Sequence, residues 1–161
     1  MCLRARSQHR QSKLPITWCM KKPVFSNVSE QRRATMAAVK GNCTAPELRV
    51  RRFLHAAGLR FSTDVRRLPG RPDIVLARRK VVVFVHGCFW HQHDHCGKAI
   101  IPSARRAYWH GKLLGNVRRD RKVKRQLRAM GWHVFTVWEC RSKNEAALKS
   151  LVGRIKQFSG I

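Results

Sequence analysis

Val81-Val82-Val83-Phe84-Val85 runs directly into His86-Gly87-Cys88-Phe89-Trp90-His91-Gln92-His93-Asp94-His95-Cys96, an apolar run of strand length followed by four histidines, two cysteines and two adjacent aromatics. The first half reads as a buried strand, which places the second half at a strand end, where chemistry-bearing loops collect. Thiolate and imidazole are the donors zinc prefers, and a Cys/His set this close in sequence is a local clamp rather than a core. Phe89 and Trp90 lie between candidate ligands, where a pinned loop turns them outward. On a basic protein such aromatics can wedge or stack against bases.

The neighbouring segments supply partners for that strand. Asp73 follows Pro72 and heads the short apolar run Ile74-Val75-Leu76, which the basic turn Ala77-Arg78-Arg79-Lys80 separates from Val81. Antiparallel pairing across the turn sets Asp73 opposite the neighbourhood of Val85 and His86. A Pro-Asp pair often does no more than cap a turn. Beside several histidines, the same carboxylate can hold a hard cation such as Mg²⁺ for attack on phosphate. Trp132 to Trp138 reads as another strand, ending at Cys140. Two strands side by side bring Cys140 to the cluster, and Cys88, His93, Cys96 and Cys140 then make a closed tetrahedral set of the structural zinc type. Cys140 also reads as an ordinary small buried residue.

Around this centre, Thr44-Ala45-Pro46-Glu47 opens a helix with a capping box, Leu48, Val50, Phe53 and Leu54 give it an apolar face, and Gly58 closes it. The box is a sufficient structural reason for Glu47. Leu59 to Asp64 reads as a strand, and Arg66 to Pro72 as a loop turning at Pro69-Gly70. A long helix is predicted from Ser103 to about Met130, with Tyr108, Trp109, Leu113, Val117, Val123 and Leu127 on its apolar side and possible bends at Gly111 and Gly115. Asp120 is the sole acid in Arg118-Arg119-Asp120-Arg121-Lys122; it either balances local charge or orients a histidine. Asn144 to Phe158 reads as a last amphipathic helix. A short helix over residues 29–39 carries Met36, and residues 1–28 read as a disordered basic arm.

Length and charge bound the function. The 161 residues, 43% hydrophobic, suit one domain with a modest core. Thirty-five Lys and Arg against 8 Asp and Glu give a formal charge of +27, which repels itself unless a polyanion is bound, so nucleic acid is the expected partner. No apolar run is long enough for a bilayer and the N-terminus lacks a signal-peptide pattern, so the expectation is a cytoplasmic, nucleoid-associated protein with its six cysteines reduced or metal-bound.

Taken together, Leu68-Pro-Gly-Arg-Pro-Asp73, Phe84-Val-His-Gly-Cys-Phe-Trp-His91, Gly115-Asn-Val-Arg-Arg-Asp120 and Gly131-Trp through Val137-Trp-Glu-Cys140 resemble the very short patch repair (Vsr) DNA mismatch endonucleases over about residues 29 to 158. The resemblance implies a restriction-endonuclease-like α/β domain at 29–161, a mixed sheet flanked by helices with a structural zinc site. It implies Mg²⁺-dependent nicking of double-stranded DNA 5′ to the thymine of a T·G mismatch; a nick in one strand needs only a monomer. By the same matching, Asp73 and the main-chain carbonyl of Val85 hold Mg²⁺, and His91 is the general base or proton shuttle. Asp120 orients His91, His86 is a second active-site histidine and Glu47 an accessory acid. The family's zinc site maps onto Cys88, His93, Cys96 and Cys140, although the loop is one residue longer than the shortest family form, which leaves His95 as an alternative to His93. Phe89, Trp90 and Trp109 match wedging aromatics, and Met36, Lys112 and Asn116 match positions that contact DNA near the mismatch. The acid-x-Lys pattern of many restriction-type nucleases is missing, since Val83-Phe84-Val85 stands there. The rival reading is a zinc-stabilised DNA-binding module without catalysis.

Overall fold

A computed structural model describes residues 43–158. The arm predicted over 1–28, the helix over 29–39 and Met36 lie outside the described residues. Among the described residues three α-helices and three strands follow in chain order: α1 (Ala45–Ala56), β1 (Ile74–Leu76), β2 (Val81–His86), α2 (Arg106–Ala129), β3 (His133–Trp138) and α3 (Glu145–Lys156). The sheet is mixed, in the order β1-β2-β3. β1 and β2 are antiparallel with Ile74 opposite Val83. β2 and β3 are parallel, from Val81 opposite His133 to His86 opposite Trp138.

A mixed α/β domain with the apolar run at its centre was legible in the sequence, and strand parity explains how it is covered. Ile74, Leu76, Val81, Val83, Phe135 and Val137 face Val50 and Leu54 of α1 and Leu148, Leu151, Val152 and Ile155 of α3. The alternate residues Val75, Val82 and Phe84 face Leu127 of α2 and Leu68 of the loop before β1. Each fully buried Leu or Ile in these layers contributes about 1.5–3 kcal/mol. By the same period of two, His86 leaves β2 on the α2 face. Gly70, at φ +72°, lets the loop pass close to α2, since a Cβ there would lie 2.4 Å from Val123 Cγ1.

Several expectations need correction. The strand predicted from Leu59 to Asp64 is reduced to one bridge, Ser62 with Val75, because β1 has only three residues to pair with. Leu48 is 39% exposed and lies off the buried face of α1, whose place is taken by Glu47 at 5%. Thr44 caps α1 without a side-chain bond to the helix backbone. Its hydroxyl instead donates to Glu47 Oε1 at 2.9 Å, while the Cys43 N–H donates to Glu47 Oε2 at 3.0 Å. α2 is continuous through Gly111 and Gly115 and begins at Arg106, three residues after the predicted start.

Candidate active site and metal centre

β2 ends in the middle of the sheet, and both clusters form there. Asp73 lies just before β1, beyond the last paired residue, and its Oδ2 accepts the Val85 N–H at 2.7 Å. A residue in a strand points its carbonyl to the same side as its N–H, so the Val85 carbonyl also faces the Asp73 side. Burial pushes the Asp73 carboxyl up to about 6, against the lowering effect of the Val85 N–H; Glu47 raises it further and Arg51 lowers it. Arg51 was not singled out from the sequence. It pairs with Glu47 at 3.2 Å and also donates to the Asp73 carbonyl at 3.3 Å, tying α1 to the carboxylate. Its signal was the i,i+4 spacing from Glu47.

On the α2 face of β2, the rings of His86 and His91 stack with centroids 3.9 Å apart. His91 Nδ1 lies 2.5 Å from Asp120 Oδ2. An ionised carboxylate only accepts, so the Nδ1–H donates and Nε2 is the nitrogen left for another partner. Burial alone would raise the Asp120 carboxyl, but the bond and charge of His91 hold it below the usual carboxylate range. His86 is 5% exposed, and its Nδ1 has no hydrogen-bond partner among the described residues. Burial, then the charge of His91, pushes His86 down to about 3, so it stays a neutral imidazole. Of the two readings of Asp120, the geometry has it bonded to a histidine.

Beyond Gly87 the chain turns into the second cluster. Donor atoms of Cys88, His93, Cys96 and Cys140 all lie within 4.8 Å of one another. His93 Nδ1 is 3.3 Å from Cys140 Sγ and 3.7 Å from Cys88 Sγ. His95, the alternative ligand, is exposed at φ +54° and outside this group. Burial, the largest influence on Cys88, pushes its thiol up to about 11. Three sulfurs and one imidazole converging this closely could hold a metal ion, and they form the donor set zinc prefers. Trp138 joins the two clusters, stacked on His93 and edge-on to His86.

A third group is aromatic. Phe89, Trp90 and Trp109 meet edge to face with centroids 5.2 to 6.1 Å apart, and all three are only partly buried. Lys112 Nζ stands 5.5 Å over Trp90 and 5.7 Å over Trp109. Asn116 Nδ2 donates to the Trp90 carbonyl at 3.0 Å, fixing the loop to α2. Trp109 therefore packs in this surface group rather than in either sheet core. Every predicted site residue among the described ones lies around the C-terminal end of β2, on the loop after it or on the elements beside it.

The comparisons with known proteins point to one family. The family model for the DNA mismatch endonuclease Vsr matches residues 26–98. The chain is 42% identical over 126 residues to the type II nicking enzyme V.XorIIP of Xanthomonas oryzae pv. oryzae, covering 78% of this chain and 92% of that protein. It is 39% identical over 127 residues to the type II nicking enzyme V.NmeAIP of Neisseria meningitidis, covering 79% and 90%. With the DNA mismatch endonuclease Vsr of Escherichia coli, the identity is 38% over 129 residues, covering 79% and 82%.

Proposed function

The chain belongs to the Vsr family of DNA mismatch endonucleases, and from that premise we propose that it nicks one strand of duplex DNA 5′ to the thymine of a T·G mismatch. Two of the relatives are named as type II nicking enzymes and one as a DNA mismatch endonuclease. The single observation supporting a catalytic reading is the bond between His91 and Asp120 at the strand end that also carries Asp73. A domain that only bound DNA has no use for an imidazole held with one nitrogen free. The fold we assign is restriction-endonuclease-like, over residues 29–161 and with residues 1–28 as a basic arm.

The donor sets fit two metals. A partly desolvated carboxylate beside a main-chain carbonyl suits a hard cation, so Asp73 and Val85 are the proposed Mg²⁺ ligands. Cys88, His93, Cys96 and Cys140 are the proposed structural Zn²⁺ ligands. Mg²⁺ would supply charge neutralisation at the phosphate and a more acidic water. His91 Nε2 takes the proton from the attacking water, while Asp120 holds the ring and stabilises its charge. The water oxygen bonds to phosphorus as the bond to the 3′ oxygen breaks, leaving a 5′-phosphate and a 3′ oxyanion that takes a proton from solvent to become the 3′-hydroxyl. His86 packs neutral against the His91 ring, and Glu47 acts through Arg51 and the charge it lends to Asp73. Phe89, Trp90 and Trp109 wedge beside the mismatch, where unstacking costs least, with Lys112, Asn116 and Met36 contacting the DNA there.

The test is strand-specific cleavage of a labelled duplex with one T·G mismatch, against the T·A duplex, with Mg²⁺ or EDTA. One Mg²⁺-dependent nick 5′ to the mismatched thymine is expected. Binding without any cut in several flanking contexts would instead favour a non-catalytic zinc-stabilised module.

A further inference from the structure

The site side of α2 is a single ridge. Lys112, Asn116, Asp120 and Lys124 follow one another at i,i+4 spacing, so they stack along one face of the helix. The first three meet the loop after β2 in order, Lys112 over Trp90, Asn116 at the Trp90 carbonyl and Asp120 at His91. Lys124 is the next position and has no role in the mechanism given above. Its direction is fixed by its neighbours: Val123 packs on the second core and Leu127 is fully buried within it. Lys124 is therefore partly buried, whereas Arg121, Arg125 and Arg128 are exposed. Long helical side chains lean toward the helix N-terminus, which carries the Lys124 ammonium back over the turn of Asp120.

The other cations of the site are engaged. Arg51 is bound to Glu47 and the Asp73 carbonyl, and Arg119 donates to Asn116 Oδ1 at 3.0 Å. β2 carries no cation at all. Lys124 has neither a hydrogen bond nor an ion pair among the described residues. Burial lowers its pKa, with the Asp120 charge opposing and the Arg128 charge adding to that effect, and its own charge reaches His86. An ammonium that is partly desolvated yet not sealed from solvent, with no acceptor among the described residues, is open to an incoming anion.

We propose that Lys124 binds a non-bridging oxygen of the phosphodiester presented to His91, serving as the phosphate-binding cation of the cutting site. The assignment rests on the nuclease reading and extends it to a residue that contacts the substrate. It divides α2 functionally: the Lys112 end addresses the mismatch, Asp120 orients the base and the Lys124 end grips the phosphate.

The experiment compares the full chain with its Lys124→Met, Lys124→Arg and Arg125→Gln variants on a mismatched duplex. Equilibrium binding is measured without Mg²⁺ across a salt series, and nicking in single turnover at saturating enzyme. Lys124→Met should reduce the slope of log K against log salt by about one. It should slow nicking by about a hundredfold, with no loss of thermal stability, while Lys124→Arg restores most of both and Arg125→Gln nicks as wild type does. An unchanged slope, a Lys124→Met rate within twofold of wild type, or an equal rate loss in Arg125→Gln would overturn the assignment. If wild type binds but does not nick, the nuclease reading fails, and the salt slope still decides whether Lys124 meets a phosphate.

Discussion

Trp138 lies almost flat on His93, their ring centroids 4.2 Å apart and their planes 17° from parallel. The same indole meets His86 edge-on at 5.5 Å. One aromatic ring therefore touches both the proposed zinc ligand and the histidine pair, and disturbance of either cluster reaches the other through packing.

His93→Ala or Cys96→Ser should remove bound zinc and destabilise the protein by several kcal/mol. Nicking should fall with it. Metal content, thermal melting and tryptophan fluorescence check this together. A variant that lost its zinc and kept full stability would show that the cluster is not structural. Because the buried Cys88 thiol is pushed up to about 11, zinc uptake by the stripped protein should release protons, measurable in weakly buffered solution.

Asp73→Asn should abolish nicking yet make the metal-free protein more stable at pH 8. The amide oxygen can still accept the Val85 N–H, while the cost of a desolvated charge is removed. From about 6 in the fold and 3.8 as the ordinary value, the gain is at most about 3 kcal/mol. Added Mg²⁺ should raise the melting temperature of wild type alone. Equal melting temperatures without metal would mean that the carboxylate is well solvated.

Acid separates Asp73 from His86. The folded pKa of His86 is depressed to about 3, so its contribution is present above about 6.5 and is lost as pH falls below that value. Asp73 has the opposite sign, because its raised folded pKa adds stability as pH falls from about 6 to 4. The two offset each other across that window in wild type. Asp73→Asn should unmask His86, steepening the loss of stability by up to about 1.4 kcal/mol per pH unit. Urea denaturation at pH 7, 6, 5 and 4 measures it, and parallel curves would contradict the assignment.

Trp90→Ala should weaken binding to the mismatched duplex by about tenfold or more, with a smaller effect on matched DNA. Asn116→Ala should do less, since it removes the anchor of the Trp90 carbonyl and leaves the ring in place. Competition binding with the two duplexes tests both, and equal losses on matched and mismatched DNA would argue against a wedge.

How much of this was legible follows from where each signal lay. The run Val81 to Val85 and the donors after it announce a strand and a metal loop by residue type alone, and the Cys140 partnership needed only that two strands be neighbours. Leu59 to Asp64 failed because alternation predicts a strand only where another offers it an edge, and β1 is three residues long. Thr44 and Glu47 suited a capping box, but the structure has Glu47 reaching back to Cys43 and sideways to Arg51. Arg51 and Lys124 were hidden among 35 cations, since charge density does not reveal which ones face inward. Only the azimuth fixed by buried Val50, Leu54 and Leu127 does so.

The parallel register between β2 and β3 carries a further consequence. Every pair from Val81 with His133 to His86 with Trp138 has the same offset along the chain, and Cys88 and Cys140 stand at that same offset beyond the strand ends. A slip of one residue would turn Phe135 and Val137 out of the core and also carry Cys140 away from Cys88 and His93. The cluster thus acts as a checksum on assembly, closing only when the sheet has been laid down correctly. Refolding under a chelator should then accumulate misregistered chains that zinc, added late, rescues slowly.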